Sequence, residues 1–318
     1  MIFDLATFVI AFAIALVLYP TTIRVLRQIR SRQVIQQELP ESHQKKAGTP
    51  TGGGVLFVMI AVLGGLLATL AGHHGAWPAT AGLAAGALIG LADDRSKLRV
   101  GARGIPARLK FPIQLLLAIP VAWLATVQGQ QEHLLPVTPW LMYPVAVLAI
   151  VGAANAVNIT DGMDGLAAGL SIIAVGAMAL FIPGAPAGEK AVGMALCGGL
   201  GAFLVFNRHP ARVFMGDTGA LAMGAGLGAL ALATNTQLLL PIVGGLFVIV
   251  TLSVVIQVIA FRLLHRRVFR MAPIHHHFEL VGWPETTVIV RFWILSGLCT
   301  AIAIGIFYAD FLTTGAID

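Results

Sequence analysis

Charge is what this sequence has least of. Of 318 residues, 11% are Asp, Glu, Lys or Arg against 58% hydrophobic, and the mean hydropathy is +0.88. A soluble domain of this length could not cover that much apolar surface, so the composition leaves only an integral membrane protein. Cysteine is nearly absent. Cys197 and Cys299 both fall inside apolar runs, where they read as small packing residues and carry no redox information. No Lys or Arg precedes the first apolar run and the basic residues Arg24, Arg27, Arg30 and Arg32 follow it, so it is expected to be a true span and not a cleaved signal peptide. Internal repeats of the kind found in two-fold transporters are also missing, as are low-complexity segments, a P-loop, a dinucleotide fingerprint and a nucleophilic Ser or Cys triad.

What is present is a series of long apolar runs. Crossing a hydrocarbon core of ~30 Å takes roughly 17–25 helical residues, and such runs occur at about 3–23, 52–72, 75–92, 109–127, 139–157, 166–183, 190–206, 218–234, 238–262 and 291–310. The expected fold is therefore all-α and polytopic, a single integral membrane domain over residues 1–318 with about ten transmembrane helices. Basic residues near span ends stay in the cytoplasm. With both termini extracytoplasmic, every Lys and Arg except Lys190 falls on the inner side, which supports both the helix count and the orientation. A net charge of +6 and a pI near 9.8 raise the question of a nucleic-acid partner. The basic residues are interrupted by membrane spans and form no continuous stripe, so no nucleic-acid partner is expected. Glycines spaced by four, as in Gly82, Gly86 and Gly90 or Gly224 and Gly228, read as ridges that let helices approach closely.

Polar residues with catalytic potential gather in the five inner connections, whereas His73, His74, Glu132 and Glu189 on the outer side read as solvated surface. The first inner loop, from His43-Gln44-Lys45-Lys46-Ala47-Gly48-Thr49-Pro50 through Thr51 to Gly52-Gly53-Gly54, offers backbone N–H groups, hydroxyls and lysines to an anion. A flexible basic loop is its rival reading. The second inner loop opens with Asp93-Asp94-Arg95-Ser96-Lys97, two adjacent carboxylates at the end of an apolar helix. Carboxylates so placed are expensive unless they hold a cation or act on a proton. That loop ends at Arg108-Leu109-Lys110, where a cation could hold a lipid phosphate or serve topology alone.

The third connection, Asn155 to Leu166, carries Asn158, Asp161 and Asp164 among glycines and contains no Lys or Arg; metal or nucleotide contact is the favoured reading. The fourth, Asn207-Arg208-His209-Pro210 to Phe214-Met215-Gly216-Asp217-Thr218-Gly219, sets one carboxylate between glycines. Magnesium takes one or two carboxylates and fills its shell with substrate phosphate and water, a role that fits Asp217, while Phe214 could stack on a base. The fifth holds His275-His276-His277-Phe278-Glu279 and Gly282-Trp283-Pro284-Glu285. Three successive histidines cannot all point one way, so they suit hydrogen bonding to a diphosphate better than a zinc site. Acids, histidines, lysines and glycine turns on one face suit a magnesium-dependent reaction of a phosphate ester.

In order and wording, the Gly-Thr-Pro-Thr loop, Asp93-Asp94, Asn-Ala-Val-Asn-Ile-Thr-Asp-Gly-Met-Asp-Gly, Phe-Met-Gly-Asp-Thr-Gly and Pro-Ile-His-His-His-Phe-Glu resemble the polyprenyl-phosphate aminosugar-1-phosphate transferase superfamily. The resemblance runs from about residue 20 to 295. The intact histidine block, followed by Gly-Trp and Arg291-Phe292-Trp293, is similar to the phospho-N-acetylmuramoyl-pentapeptide transferase branch. The chain departs from the usual wording at Gly52, where methionine is common, and at Ala220, where serine often stands. The resemblance implies ten transmembrane helices in the bacterial inner membrane, a cytoplasmic active site, Mg2+ and a homodimer. It implies the reaction of UDP-MurNAc-pentapeptide with undecaprenyl phosphate to give lipid I and UMP. Carried over, Asp217 would bind magnesium, and Asp93 and Asp94 would deprotonate or orient the lipid phosphate. Lys110 and Asn207 would support the phosphates. Lys46, Thr51, Asp161, Asp164 and Phe214 would hold the uridine nucleotide, and His275, His276 and His277 would line the diphosphate and sugar. The nearest rival is a sister transferase using UDP-GlcNAc. An ion-coupled transporter would need ionisable groups near the bilayer midplane, and the acids here sit at the inner ends of the spans.

Overall fold

A computed structural model of the chain describes residues 2–29, 46, 48–73, 75–100, 104–128 and 139–313. Of the residues singled out above, Arg30, Arg32, His43, Gln44, Lys45, Ala47, His74 and Glu132 lie outside them. Among the described residues the regular structure is entirely helical: α1 (Ile2–Gln28), α2 (Gly54–Leu70), α3 (Trp77–Val100), α4 (Ala107–Gln128), α5 (Pro139–Thr160), α6 (Leu166–Phe181), α7 (Ala187–Asn207), α8 (Gly216–Ala233), a single turn α9 (Leu240–Val243), α10 (Gly245–Leu264), the short α11 (Ile274–Leu280) and α12 (Glu285–Thr313). Helices satisfy every backbone group internally, the condition for crossing lipid. Each apolar run marked in the sequence overlaps one of the longer helices, the run at 238–262 being broken at Gly244 between α9 and α10. Seven of these (α1, α4, α5, α7, α8, α10 and α12) are long and apolar enough to cross a membrane, while α2 and α6 are shorter apolar helices. The remaining one, α3, carries Asp93-Asp94-Arg95-Ser96-Lys97 in its last turns.

The bundle is layered around α7 and α8, whose apolar windows are 78% and 89% buried, whereas those of α1, α4, α10 and α12 are 17–28% buried and turn the rest outward. Leu, Ile and Val stand exposed along the outer faces of α1, α10 and α12, as expected of helices whose solvent is lipid. The glycine ridges are packing surfaces, as their spacing suggests. A Cβ on Gly82, Gly86 or Gly90 would run into the α8 backbone at Ala225, at Leu221 and Ala222, and at Asp217 and Thr218 in turn. From the other side, Gly224 and Gly228 of α8 meet the α5 backbone at Ala153 and Ala154 and at Ile150. Three helices are thus held in backbone contact, and the ends of α3 and α8 arrive together.

One expectation is corrected. Glu189 is fully buried, not solvated: its Oε1 accepts the Ala79 N–H at 3.2 Å. The first turn of α3 has N–H groups without intrahelical partners, and a carboxylate from α7 satisfies one of them. Glu189→Ala should lower stability by about 1–2 kcal/mol, the worth of a lost helix cap, while leaving turnover unchanged. A thermal melt in detergent beside an activity assay checks both. His73, also read as solvated, packs its ring 4.6 Å from that of Phe3.

Candidate active site

The described residues of the five connections that carry the candidate site residues come together at one end of the bundle. The first and fourth pair through their backbones: Phe214 donates its N–H to Pro50 (2.8 Å), and Gly53 and Gly54 donate to the carbonyls of Phe214 and Met215 (both 2.9 Å). The turn needs glycine where the chain is left-handed, at Gly52 (φ 95°) and Gly216 (φ 76°), and a Cβ on Gly216 would lie 3.0 Å from the Gly52 nitrogen. Thr51 and Phe214 are thereby brought side by side on the entrance to α8.

Asp94 does not point outward from that entrance. Its Oδ1 accepts the Asp217 N–H (3.1 Å), and its Oδ2 accepts the Thr218 N–H (2.9 Å) and hydroxyl (2.6 Å). A carboxylate from α3 thus caps α8 and fixes the residue beside it, Asp217. Asp93 is nearly fully buried; its Oδ1 accepts the Ile105 N–H at 2.7 Å. Two lysines join Asp93 to Asp217. Lys97 Nζ lies 2.8 Å from Asp93 Oδ2 and 2.8 Å from Asp217 Oδ1, and Lys110 Nζ lies 2.5 Å from Asp217 Oδ2 and 3.6 Å from Asp93 Oδ2.

Asp161 completes this acidic patch. Among the described residues its carboxyl makes no hydrogen bond or ion pair, and burial, reinforced by the carboxylates of Asp217, Asp94 and Asp164, pushes its pKa up to about 7. Four carboxyl groups thus gather here beside two ammonium groups, which among the described residues contact Asp93 and Asp217, an excess of acid made only of oxygen donors. Hard divalent cations such as magnesium prefer that set. Each Asp217 oxygen retains acceptor capacity beyond its lysine contact, since a carboxylate offers about four lone-pair sites.

A second cluster lies on the other side of the Asp161–Gly165 turn. Lys46 Nζ sits 2.8 Å from Asp164 Oδ1 and 2.7 Å from Glu285 Oε1. His209 Nδ1 lies 3.1 Å from Asp164 Oδ2 and 3.3 Å from Glu285 Oε2. Asp164, His209 and Glu285 could hold a metal ion by spacing alone. The Lys46 ammonium already provides a cation to both carboxylates. Asn207, almost wholly buried, clamps two loops: its Oδ1 accepts the Gly165 N–H and its Nδ2 donates to the Val213 carbonyl, both at 2.8 Å. Asn158 is half-buried one turn before Asp161, and its amide makes no hydrogen bond among the described residues.

The histidines divide as their adjacency requires. His275 and His276 are buried on α11 and abut the third connection, a Cβ on Gly162 falling 2.6 and 3.2 Å from their Nε2 atoms. His276 Nδ1 is 2.8 Å from Glu279 Oε2. His277 turns away, its Nδ1 accepting the Arg270 N–H at 3.1 Å. Lys97, His209, Glu279 and Glu285 were not picked out as site residues from the sequence, although each stands within a motif that was. Lys97 four residues after Asp93 was the one available signal, because that spacing places the two on one helical face.

The sequence matches the family model described as Glycosyl transferase family 4 over residues 76–235. It is 44% identical over 299 residues to the phospho-N-acetylmuramoyl-pentapeptide-transferase of Heliobacterium modesticaldum, covering 91% of this chain and 93% of that one. The enzymes of the same name from Moorella thermoacetica (45% over 313 residues, 93% and 96% covered) and Shouchella clausii (42% over 318 residues, 96% and 97% covered) are comparably similar.

Proposed function

The chain belongs to the phospho-N-acetylmuramoyl-pentapeptide transferases within glycosyl transferase family 4, and we propose that the two clusters are the two halves of that enzyme's site, facing the cytoplasm at the bacterial inner membrane. The reaction transfers phospho-MurNAc-pentapeptide from UDP-MurNAc-pentapeptide to undecaprenyl phosphate, giving lipid I and UMP. The observation that carries the assignment of halves is the convergence of Lys97 and Lys110 on Asp93 and Asp217. Two cations and two carboxylates at the mouth of apolar helices suit phosphates that must meet at the membrane surface.

An oxygen of the lipid phosphate attacks the β-phosphorus of the UDP-sugar. The new P–O bond joins lipid and sugar phosphates, the bond from β-phosphorus to the bridging oxygen breaks, and UMP leaves. Lys97 and Lys110 neutralise the entering and developing charge. Asp93 is the group assigned to take a proton from the lipid phosphate or to orient it, because it shares Lys97 and Lys110 with Asp217, whereas Asp94 caps α8. A magnesium ion held by Asp217 would supply further charge neutralisation on the diphosphate. Asn207 acts through the loops it clamps. Lys46, Thr51, Asn158, Asp161, Asp164 and Phe214 hold the uridine nucleotide, and His275 and His276, with His277 behind them, line the diphosphate and sugar side. The long apolar helices place the protein in the membrane; ten spans, extracytoplasmic termini and a homodimer complete the proposal.

The test is UMP release by purified protein given undecaprenyl phosphate, magnesium and either UDP-MurNAc-pentapeptide or UDP-GlcNAc. Turnover of the muramoyl substrate alone, abolished by a chelator and restored by added magnesium, is expected. Turnover of UDP-GlcNAc alone, or turnover indifferent to the chelator, would overturn the donor or the metal assignment.

A further inference from the structure

Glu285 opens α12, and among the described residues its carboxylate is the one acid that touches three other connections at once. Both oxygens accept from Lys46 Nζ (2.7 and 2.8 Å), Oε1 also accepts the Asp164 N–H (3.0 Å), and Oε2 lies 3.3 Å from His209 Nδ1. Its side chain is 5% exposed and that of Asp164 is 1% exposed, so the contacts are made away from bulk water, where a charged group without its partner is costly. Lys46 is separated from Glu285 by 239 positions in the chain, and Asp164 by 121. The contact is therefore an assembly point, formed only when the first, third and fourth connections have all come to the start of the last helix.

We propose that Glu285 is a positioning residue for the nucleotide half of the site, setting donor affinity by holding Lys46 and the Asp161–Gly165 turn in register. The proposal rests on the reading that Lys46 and Asp164 belong to the nucleotide half. Its chemistry is directional. The Lys46 ammonium on a flexible four-carbon stem has many rotamers, and two carboxylates restrict it to one place. The Asp164 N–H is fixed by the same carboxylate, and the Asp164 side chain in turn accepts the Ala211 N–H at 3.0 Å. A uridine nucleotide entering this half meets groups already ordered, which lowers the entropic cost of binding. Glu285 touches neither Asp93, Asp217, Lys97 nor Lys110, so the acceptor half is left as it is.

The measurement is steady-state kinetics for both substrates, with UMP binding by calorimetry, on Glu285→Gln, Glu285→Asp and Lys46→Met. Glu285→Gln should raise the KM for UDP-MurNAc-pentapeptide and weaken UMP roughly 10- to 100-fold, the range typical when a binding group loses its outer support, with the KM for undecaprenyl phosphate unchanged. Glu285→Asp, which keeps the charge, should recover part of the loss. Combining Glu285→Gln with Lys46→Met should cost less than the two changes summed, because both break one contact. A normal donor KM in Glu285→Gln while Lys46→Met raises it would overturn the proposal and leave the nucleotide assignment standing. A normal donor KM in Lys46→Met would remove that assignment itself. Equal rises in both KM values would show a general structural role, and that also overturns the proposal. Should Glu285→Gln fail to fold, the split between donor and acceptor KM in Glu285→Asp decides in the same way.

Discussion

Asp217→Asn should reduce lipid I formation by roughly a thousandfold or more, several kcal/mol of transition-state stabilisation, while the protein still folds. The size follows from what meets at this side chain. Lys97 and Lys110 both end on its two oxygens, and Asp94 fixes its backbone by accepting its N–H. Asparagine keeps the backbone contact and one oxygen for a lysine, so α8 remains capped. It removes the negative charge that draws both ammonium groups to one point and that would hold magnesium. Lys97 and Lys110 would then gather on Asp93 and leave the diphosphate without a shared anchor. Turnover assays at rising magnesium, with a melting curve on each protein, check this: an unchanged melt with lost activity that added magnesium does not rescue is the expected outcome. An active Asp217→Asn protein would move the metal assignment elsewhere, the first place to look being Asp164, His209 and Glu285.

The sequence made the membrane class, the apolar runs and the gathering of five connections legible, because each leaves a local signal: a long apolar stretch, a change of charge, a cluster of glycines and acids. Pairings are another matter. Nothing near Lys46 indicates that Glu285, 239 positions away, will receive it. The third connection looked short of cations because its own segment has none, and Lys46 of the first supplies one. Adjacent carboxylates also look equivalent in a sequence. The helix sends Asp93 toward the lysines and Asp94 onto the start of α8, so one joins the lysine cluster and the other caps a helix. Glu189 was misread for a related reason: a polar residue beyond the end of a span reads as solvated unless the helix start that needs its oxygen is known to lie beside it.

The frame itself gives the second large effect. Gly90→Ala should lower turnover by about a hundredfold, the cost of displacing reacting groups by about 1 Å. The added Cβ would lie 2.3 Å from the Asp217 carbonyl oxygen and 2.4 Å from the Thr218 Cα, both backbone atoms that no rotamer change can clear. Carbon atoms rest at ~3.5–4.0 Å, so α3 and α8 must part by about 1 Å or more. The separation opens where Asp93, three residues on, meets the lysines shared with Asp217. Other glycines separate this from simple destabilisation. At Gly82 a Cβ would strike the Ala225 carbonyl oxygen at 2.7 Å, two turns farther from the site, so Gly82→Ala should lower the melting temperature while sparing turnover more than Gly90→Ala does. Gly152 and Gly297 have nothing within 4 Å of an added Cβ, and alanine there should leave both properties unchanged. Measuring kcat and thermal stability across the four variants tests the idea as a gradient. If Gly82→Ala and Gly90→Ala lose turnover equally, the ridge is packing alone; if only Gly90→Ala loses it, the close approach of α3 to α8 is what holds the two acids in reacting geometry.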